Sequence, residues 1–472
     1  MVIYMFEMLN KTKIFLKSFF ESTYFLILIS VLTIINYQFD MGMITYNVTA
    51  LFLVLMVISK SNFVSLPSIF ILALGGGLTG LPNFKSFWFI LFCILAVLLL
   101  CVLVIAIIKN KDKIKPNLIH NSFFVTTIIL IITMFLSLIT SVDRLKTLGA
   151  IGGFSLNIIV MMFVLLTTDK TNDNRKKLGN SFMCVTIVIF IMVMFKLNEL
   201  LKIYPFKEIV IYKHLQLKWA NTNHYVVISN FGVVISLILL QEYYKDKKYI
   251  NIVLSTITVF LGISIDILVF SRGSIIGLGC SLIVGVLIDI CKNYHNKKKI
   301  IVYCTIAITF IGVVLVLYFK GVFDDFFKRY DGNQLTGRGE IWMVGWKQFK
   351  ENWFLGTGYG TQRIFIMSET HHTVYNYHNC FLQISTCGII GIIAFILYLV
   401  NICFNIYKIN STYNMFMIML FVMFMVTGSV DTLFFSNKIM PLFSICLCYV
   451  DLKSKEIFPG KQLKKNKYLN CI

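Results

Sequence analysis

The sequence predicts an all-α fold: a polytopic membrane bundle of about 12–14 transmembrane helices, with one large external loop containing short amphipathic helices. Three observations carry this. Of 472 residues 58% are apolar and only 14% charged, more apolar surface than a water-soluble fold of this length hides. The apolar residues fall into runs of about 16–23, the length that crosses hydrocarbon as a helix. Proline, at 6, is too scarce to interrupt them.

In order, the runs lie at about 20–37, 43–59, 63–80, 86–108, 121–140, 147–167 and 180–200, then 223–241, 250–270, 274–290, 300–319, 379–400, 413–428 and 433–450. Lys11, Lys13 and Lys17 precede the first run with no small-residue cleavage site after it, so an uncleaved first span is expected. The formal charge of +21 does not point to nucleic acid, because the lysines cluster in short gaps between the runs. Numbering the gaps alternately places 26 of the 43 Lys and Arg in one set of mostly short gaps. The positive-inside rule makes that set cytoplasmic, with both termini, and puts the long 320–378 loop outside the plasma membrane. The expected division is a bundle of about eleven helices over 1–319, an external catalytic loop at 320–378, C-terminal helices over 379–450, and a basic cytoplasmic tail at 451–472. The twelve cysteines sit mostly inside apolar runs without a CxxC pair and read as small hydrophobes.

All five tryptophans fall on the outer side, and so do five of six arginines: Arg144, Arg272, Arg329, Arg338 and Arg363. In a lysine-rich chain, arginine kept on one face suggests a ligand that its planar fork can grip, such as phosphate. Arg272 lies between two runs with almost no loop, beside the donors Ser271 and Gly273. It is either a snorkelling charge or a ligand-binding one. Arg338 opens the helix EIWMVGWKQFKENW, whose Trp342, Gly345, Trp346, Phe349 and Trp353 form a stripe suited to the membrane interface. His378, before Asn379 and the next run, is a candidate proton acceptor, kept neutral by the helix N-terminus. Tyr375 and Tyr377 offer rings for sugar faces. The basic, aromatic stretch 202–222 leads through Asn221 into Asn223 and His224 and reads as a second outer element. Asp40 lacks a DxD companion, His371 and His372 lack acidic partners in sequence, and no nucleotide loop is present, so neither metal nor cofactor is expected.

SRGSIIGL at 271–278, GRGEIWMVGW at 337–346, FLGTGYG at 354–360 and HNCFLQISTCGIIG at 378–391 together resemble the bacterial O-antigen ligase and polysaccharide polymerase (Wzy/WaaL-type, GT-C-like) superfamily. The resemblance covers roughly 225–400, and the N-terminal half only through hydropathy. It implies a metal-independent membrane glycosyltransferase acting on undecaprenyl-pyrophosphate-linked oligosaccharide, with membrane lipids and a chain-length regulator or flippase as further partners. It carries pyrophosphate binding to Arg272 and Arg338 and the catalytic role to His378; Asn379, Ser271 and Tyr377 are candidate supporting residues read from their position beside these. The family's glutamate after the HN…L pattern has no counterpart, since Thr386 precedes Cys387 and Gly388. A further family arginine has no match either, and Arg363 or Lys218 stands in for it. The expected activity is a polymerase joining lipid-linked repeat units by inverting transfer. The alternatives are a ligase that moves the glycan to another acceptor and a non-catalytic transporter, for which Asp266 is the main mid-span charge.

Overall fold

A computed structural model describes residues 2–75, 87–109, 122–167, 174–211, 214–219, 221–292, 338–370, 372, 374, 376–408 and 412–457. Among these the chain is helical and holds no strand. In order come α1 (Val2–Phe20), α2 (Thr23–Phe39), α3 (Gly42–Ser59), α4 (Leu66–Gly75), α5 (Phe87–Lys109), α6 (Ser122–Leu136), α7 (Arg144–Thr167), α8 (Asn174–Leu201) and α9 (Phe206–Ile211). Then follow α10 (Thr222–Lys245), α11 (Tyr249–Val269), α12 (Arg272–Lys292), α13 (Arg338–Glu351), α14 (Gln362–Glu369), α15 (Cys380–Ser385), α16 (Gly388–Lys408), α17 (Thr412–Gly428) and α18 (Met440–Ile457).

Eight of these (α3, α5, α7, α8, α10, α11, α12 and α16) are long and apolar enough to cross a bilayer. The pair α1 and α2, bent by 66°, makes a ninth crossing if taken together, and three shorter apolar helices lie over 63–75, 122–136 and 414–428. The run expected at 300–319 and the first part of the long loop lie outside the described residues.

Near the site, two runs break where continuous helices were expected. The 379–400 run divides into α15 and α16. The carbonyl of Thr386 accepts from the N–H groups of Thr357 and Gly358, both at 3.0 Å, and Gly388 turns left-handed at φ +68°. The 433–450 run starts with a single 3-10 turn, and α18 begins only at Met440. Pro441 there occupies a first-turn position, where its missing N–H costs nothing.

The hub is α10. Within its apolar window 78% is buried, against 6% for α5, which faces outward on the rim. It packs on α8, α11, α12 and α17. A hub helix has no lipid-facing stripe, so it can carry polar groups where neighbours satisfy them. Asn230 donates to Ser274 Oγ at 2.9 Å and to Asp266 at 3.4 Å, tying α10, α11 and α12 together inside the bundle.

Bonds between the gaps respect the two alternating sets. At one end Lys177 pairs with Glu21 at 3.0 Å, Lys176 with Asp246 at 2.6 Å and Arg175 with Glu242 at 3.0 Å. At the other, Lys218 pairs with Asp40 at 2.8 Å, Val142 N–H donates to Thr357, and Asn223 donates to Asp431.

Candidate active site

At this second end, the turns that lead into α10, α12, α15 and α18 meet around one carboxylate. Asp431, 2% exposed, follows the Gly-Ser-Val turn that ends α17. One of its oxygens accepts from Asn223 Nδ2 at 2.8 Å. The other accepts from the N–H of Thr432 at 2.8 Å and faces His378 Nδ1 at 3.5 Å, within ion-pair reach and long for a hydrogen bond. Burial pulls the Asp431 carboxyl up. The imidazoles of His378 and His224 and the amide of Asn223 outweigh this and hold it below the usual carboxylate range.

Each turn is fixed locally. Asn221 caps α10 by accepting from the His224 N–H, which sets Asn223 and His224 in the first turn. Phe270, left-handed at φ +54°, ends α11. The buried Ser271 hydroxyl then donates to Asn223 Oδ1 at 2.9 Å, and Arg272 starts α12 half-buried beside it.

His378 is held at φ +49°, a left-handed conformation that costs a side-chain-bearing residue about 1–2 kcal/mol. The surrounding bonds impose it. Its N–H donates to Asn376 Oδ1 at 3.1 Å, and the preceding Tyr377 carbonyl accepts from Trp342 Nε1 at 2.9 Å. The following Asn379 donates to the Ser429 carbonyl at 2.9 Å, and its oxygen caps α15 through the N–H groups of Phe381 and Leu382. Asn379 thus takes the helix N-terminus, and His378 faces a carboxylate instead of the helix dipole that the sequence suggested.

Arg338, half-buried, opens α13 one turn before Trp342, and Trp342 is bonded to the residue preceding His378. Gly345 in α13 lies flat on the Tyr377 ring, where a Cβ would come within 3.3 Å. Tyr377 is fully buried and therefore supports the site without offering a sugar platform; Tyr375 lies outside the described residues. The packed face of α13 is Ile341, Val344, Gly345 and Gln348, while Trp346 and Trp353 of the expected stripe point outward. Arg363 lies half-buried in α14, beside Gln362, whose amide donates to Thr386. Lys218 donates to the Tyr37 carbonyl as well as to Asp40. The cation beside the Asp431 cluster is Lys438, which donates to the Trp219 carbonyl and acts electrostatically on His224. His372 pairs with Glu340 at 3.1 Å. Among the described residues no three His, Cys, Asp or Glu side chains are placed to hold a metal ion.

Residues 257–399 match the family model Wzy_C, described as O-antigen ligase. Over that stretch the chain is similar to the O-antigen ligase family. Comparison with curated proteins finds no match. The matched stretch contains Ser271, Arg272, Arg338, Arg363, His378 and Asn379. Asn223, His224, Asp431 and Lys438 reach the site from outside it. Sequence reasoning missed Asp431 and Lys438. The available signal was a carboxylate in a short gap assigned to the same side as His378.

Proposed function

We propose that this protein is a transferase of the O-antigen ligase kind, a polymerase that joins lipid-linked oligosaccharide repeat units at the outer face of the plasma membrane. Supporting the reading most directly is His378, held in a strained backbone and facing the buried, ionised Asp431 at 3.5 Å. A carboxylate at Nδ1 favours the tautomer with its proton there, leaving a lone pair on Nε2. That nitrogen takes the proton of an acceptor sugar hydroxyl as the oxygen attacks the anomeric carbon of the donor. The bond from that carbon to the diphosphate oxygen breaks, and its electron pair leaves with the polyprenyl diphosphate. Arg272 and Arg338 neutralise the charge that builds on the leaving group. Displacement from the opposite face inverts the anomeric centre. Asp431 is the group that orients the imidazole.

The family model's own description favours a second reading, in which the same donor chemistry passes a finished glycan to another acceptor. Product length separates the two: losing a polymerase leaves single repeat units on the carrier, and losing a ligase leaves long chains there. Purified protein given defined lipid-linked repeat units tests the reaction. Products longer by whole units support the polymerase. Lipid-linked substrate left intact by an active preparation overturns both readings.

A further inference from the structure

Two turns below Asn223 on α10, the bundle interior holds more oxygen atoms than its hydrogen bonds account for. Asp266, in the last turn of α11, is 3% exposed, and Ser229 and Asn230 of α10 and Ser274 of α12 are fully buried. Asn230 spends both amide hydrogens, one on Ser274 Oγ at 2.9 Å and one, at a long 3.4 Å, on Asp266 Oδ1. Asp266 Oδ2, Asn230 Oδ1 and Ser229 Oγ then find no hydrogen-bond partner among the described residues. Ser229 is turned toward the same face of α11 as Asp266. A Cβ on Gly262, one turn before Asp266, would lie 3.6 Å from the Ser229 oxygen.

The groups that hydrogen bond the Asp266 carboxyl, Asn230 and Ser274, are both neutral. A carboxylate inside a membrane bundle needs a partner for its charge. Water supplies hydrogens and no charge. A proton on Asp266 neutralises the charge, but its single O–H serves only one of the other two oxygens. A metal cation supplies what all three oxygens lack. With one carboxylate in the set, a monovalent ion leaves the cluster neutral, whereas a divalent ion leaves a net charge in the interior. Gly262 brings α11 close onto α10, since a Cβ there would come within 2.2 Å of the Val233 side chain, and so close an approach favours a small ion.

We propose that Asp266, Asn230, Ser229 and Ser274 form a sodium site inside the bundle. The Asp266 carbonyl accepts from Phe270 N–H at 3.0 Å, so the site lies one turn from Ser271 and Arg272. The ion braces the ends of α10, α11 and α12 that carry Asn223, Ser271 and Arg272. It takes no part in the transfer chemistry, and its binding makes no demand on the reaction proposed above.

Thermal melting of the full-length protein in detergent, in sodium chloride against choline chloride at equal ionic strength and pH, tests it. Saturating sodium is expected to raise the wild-type melting temperature by about 3 °C or more. Asp266→Asn removes the charge and is expected to melt at the same temperature in both salts. Ser229→Ala deletes an oxygen unpaired among the described residues, so it should fold like the wild type and need about tenfold more sodium for half the rise. No sodium-dependent rise in the wild type, the result expected if water or a proton occupies the cluster, overturns the proposal. So does an equal rise in Asp266→Asn, which would put the sodium elsewhere on the protein. If Asp266→Asn fails to fold, Ser229→Ala decides alone, and an unchanged sodium midpoint overturns the site.

Discussion

His378 and Asp431 divide one task, so substitutions at the two positions leave different signatures. His378→Ala removes the proton acceptor and is expected to lower transfer by about 10²–10⁴-fold in protein that inserts normally. Asp431→Asn keeps the shape, loses the charge that fixes the imidazole, and is expected to lower transfer by about tenfold or more. Asp431 also carries a stability signature. A carboxyl held below its ordinary value stabilises the fold above about pH 4, and that contribution drains away as pH falls toward the native value. The melting temperature of the wild type in detergent should therefore fall more steeply between about pH 5 and about pH 3 than that of Asp431→Asn. Equal slopes would contradict the ion pair. His378, Arg272 and Arg338 could be named as candidates from the sequence because each stands out locally, a charged or titratable group at the edge of an apolar run. Asp431 was not, because its partners His378 and Asn223 are 53 and 208 residues away.

Between elements, the FLGTGYG motif acts as a clasp. Its backbone meets the break between α15 and α16: Ile389 N–H donates to the Trp353 carbonyl at 2.7 Å, and a Cβ on Gly388 would lie 2.1 Å from the Phe354 oxygen. The same loop anchors sideways, where Tyr359 N–H donates to Ser137 at 3.1 Å and Val142 N–H donates to Thr357. Gly388→Ala is thus expected to destabilise the protein by about 2–4 kcal/mol, while Gly279→Ala in α12, which meets nothing within 4 Å, changes stability by less than about 1 kcal/mol. Thermal melting of the two variants checks this, and similar melting points would remove the clasp. The helices themselves were readable from hydropathy. The clasp was not, since Gly388 breaks its helix through a contact made 34 residues earlier in the chain.

For the molecule as a whole, alternation of lysine-rich gaps anticipated which turns share an end, and the bonds Lys177–Glu21 and Lys218–Asp40 follow that division. The positive-inside rule leads to the expectation that the His378 end lies outside. Cysteines placed at the exposed positions Phe206 and Tyr244 test the orientation with a membrane-impermeant maleimide. Phe206→Cys should label in intact cells above the unsubstituted background, and Tyr244→Cys only after permeabilisation; the opposite pattern would put the site inside. The most direct measurement is a single reaction: purified wild type and His378→Ala incubated with defined lipid-linked repeat units, scored for new glycosidic bonds and released polyprenyl diphosphate. Longer glycans of inverted linkage from the wild type alone are the predicted result. Equal bond formation by the two proteins, or lipid carried across the bilayer with no bond formed by either, would contradict it.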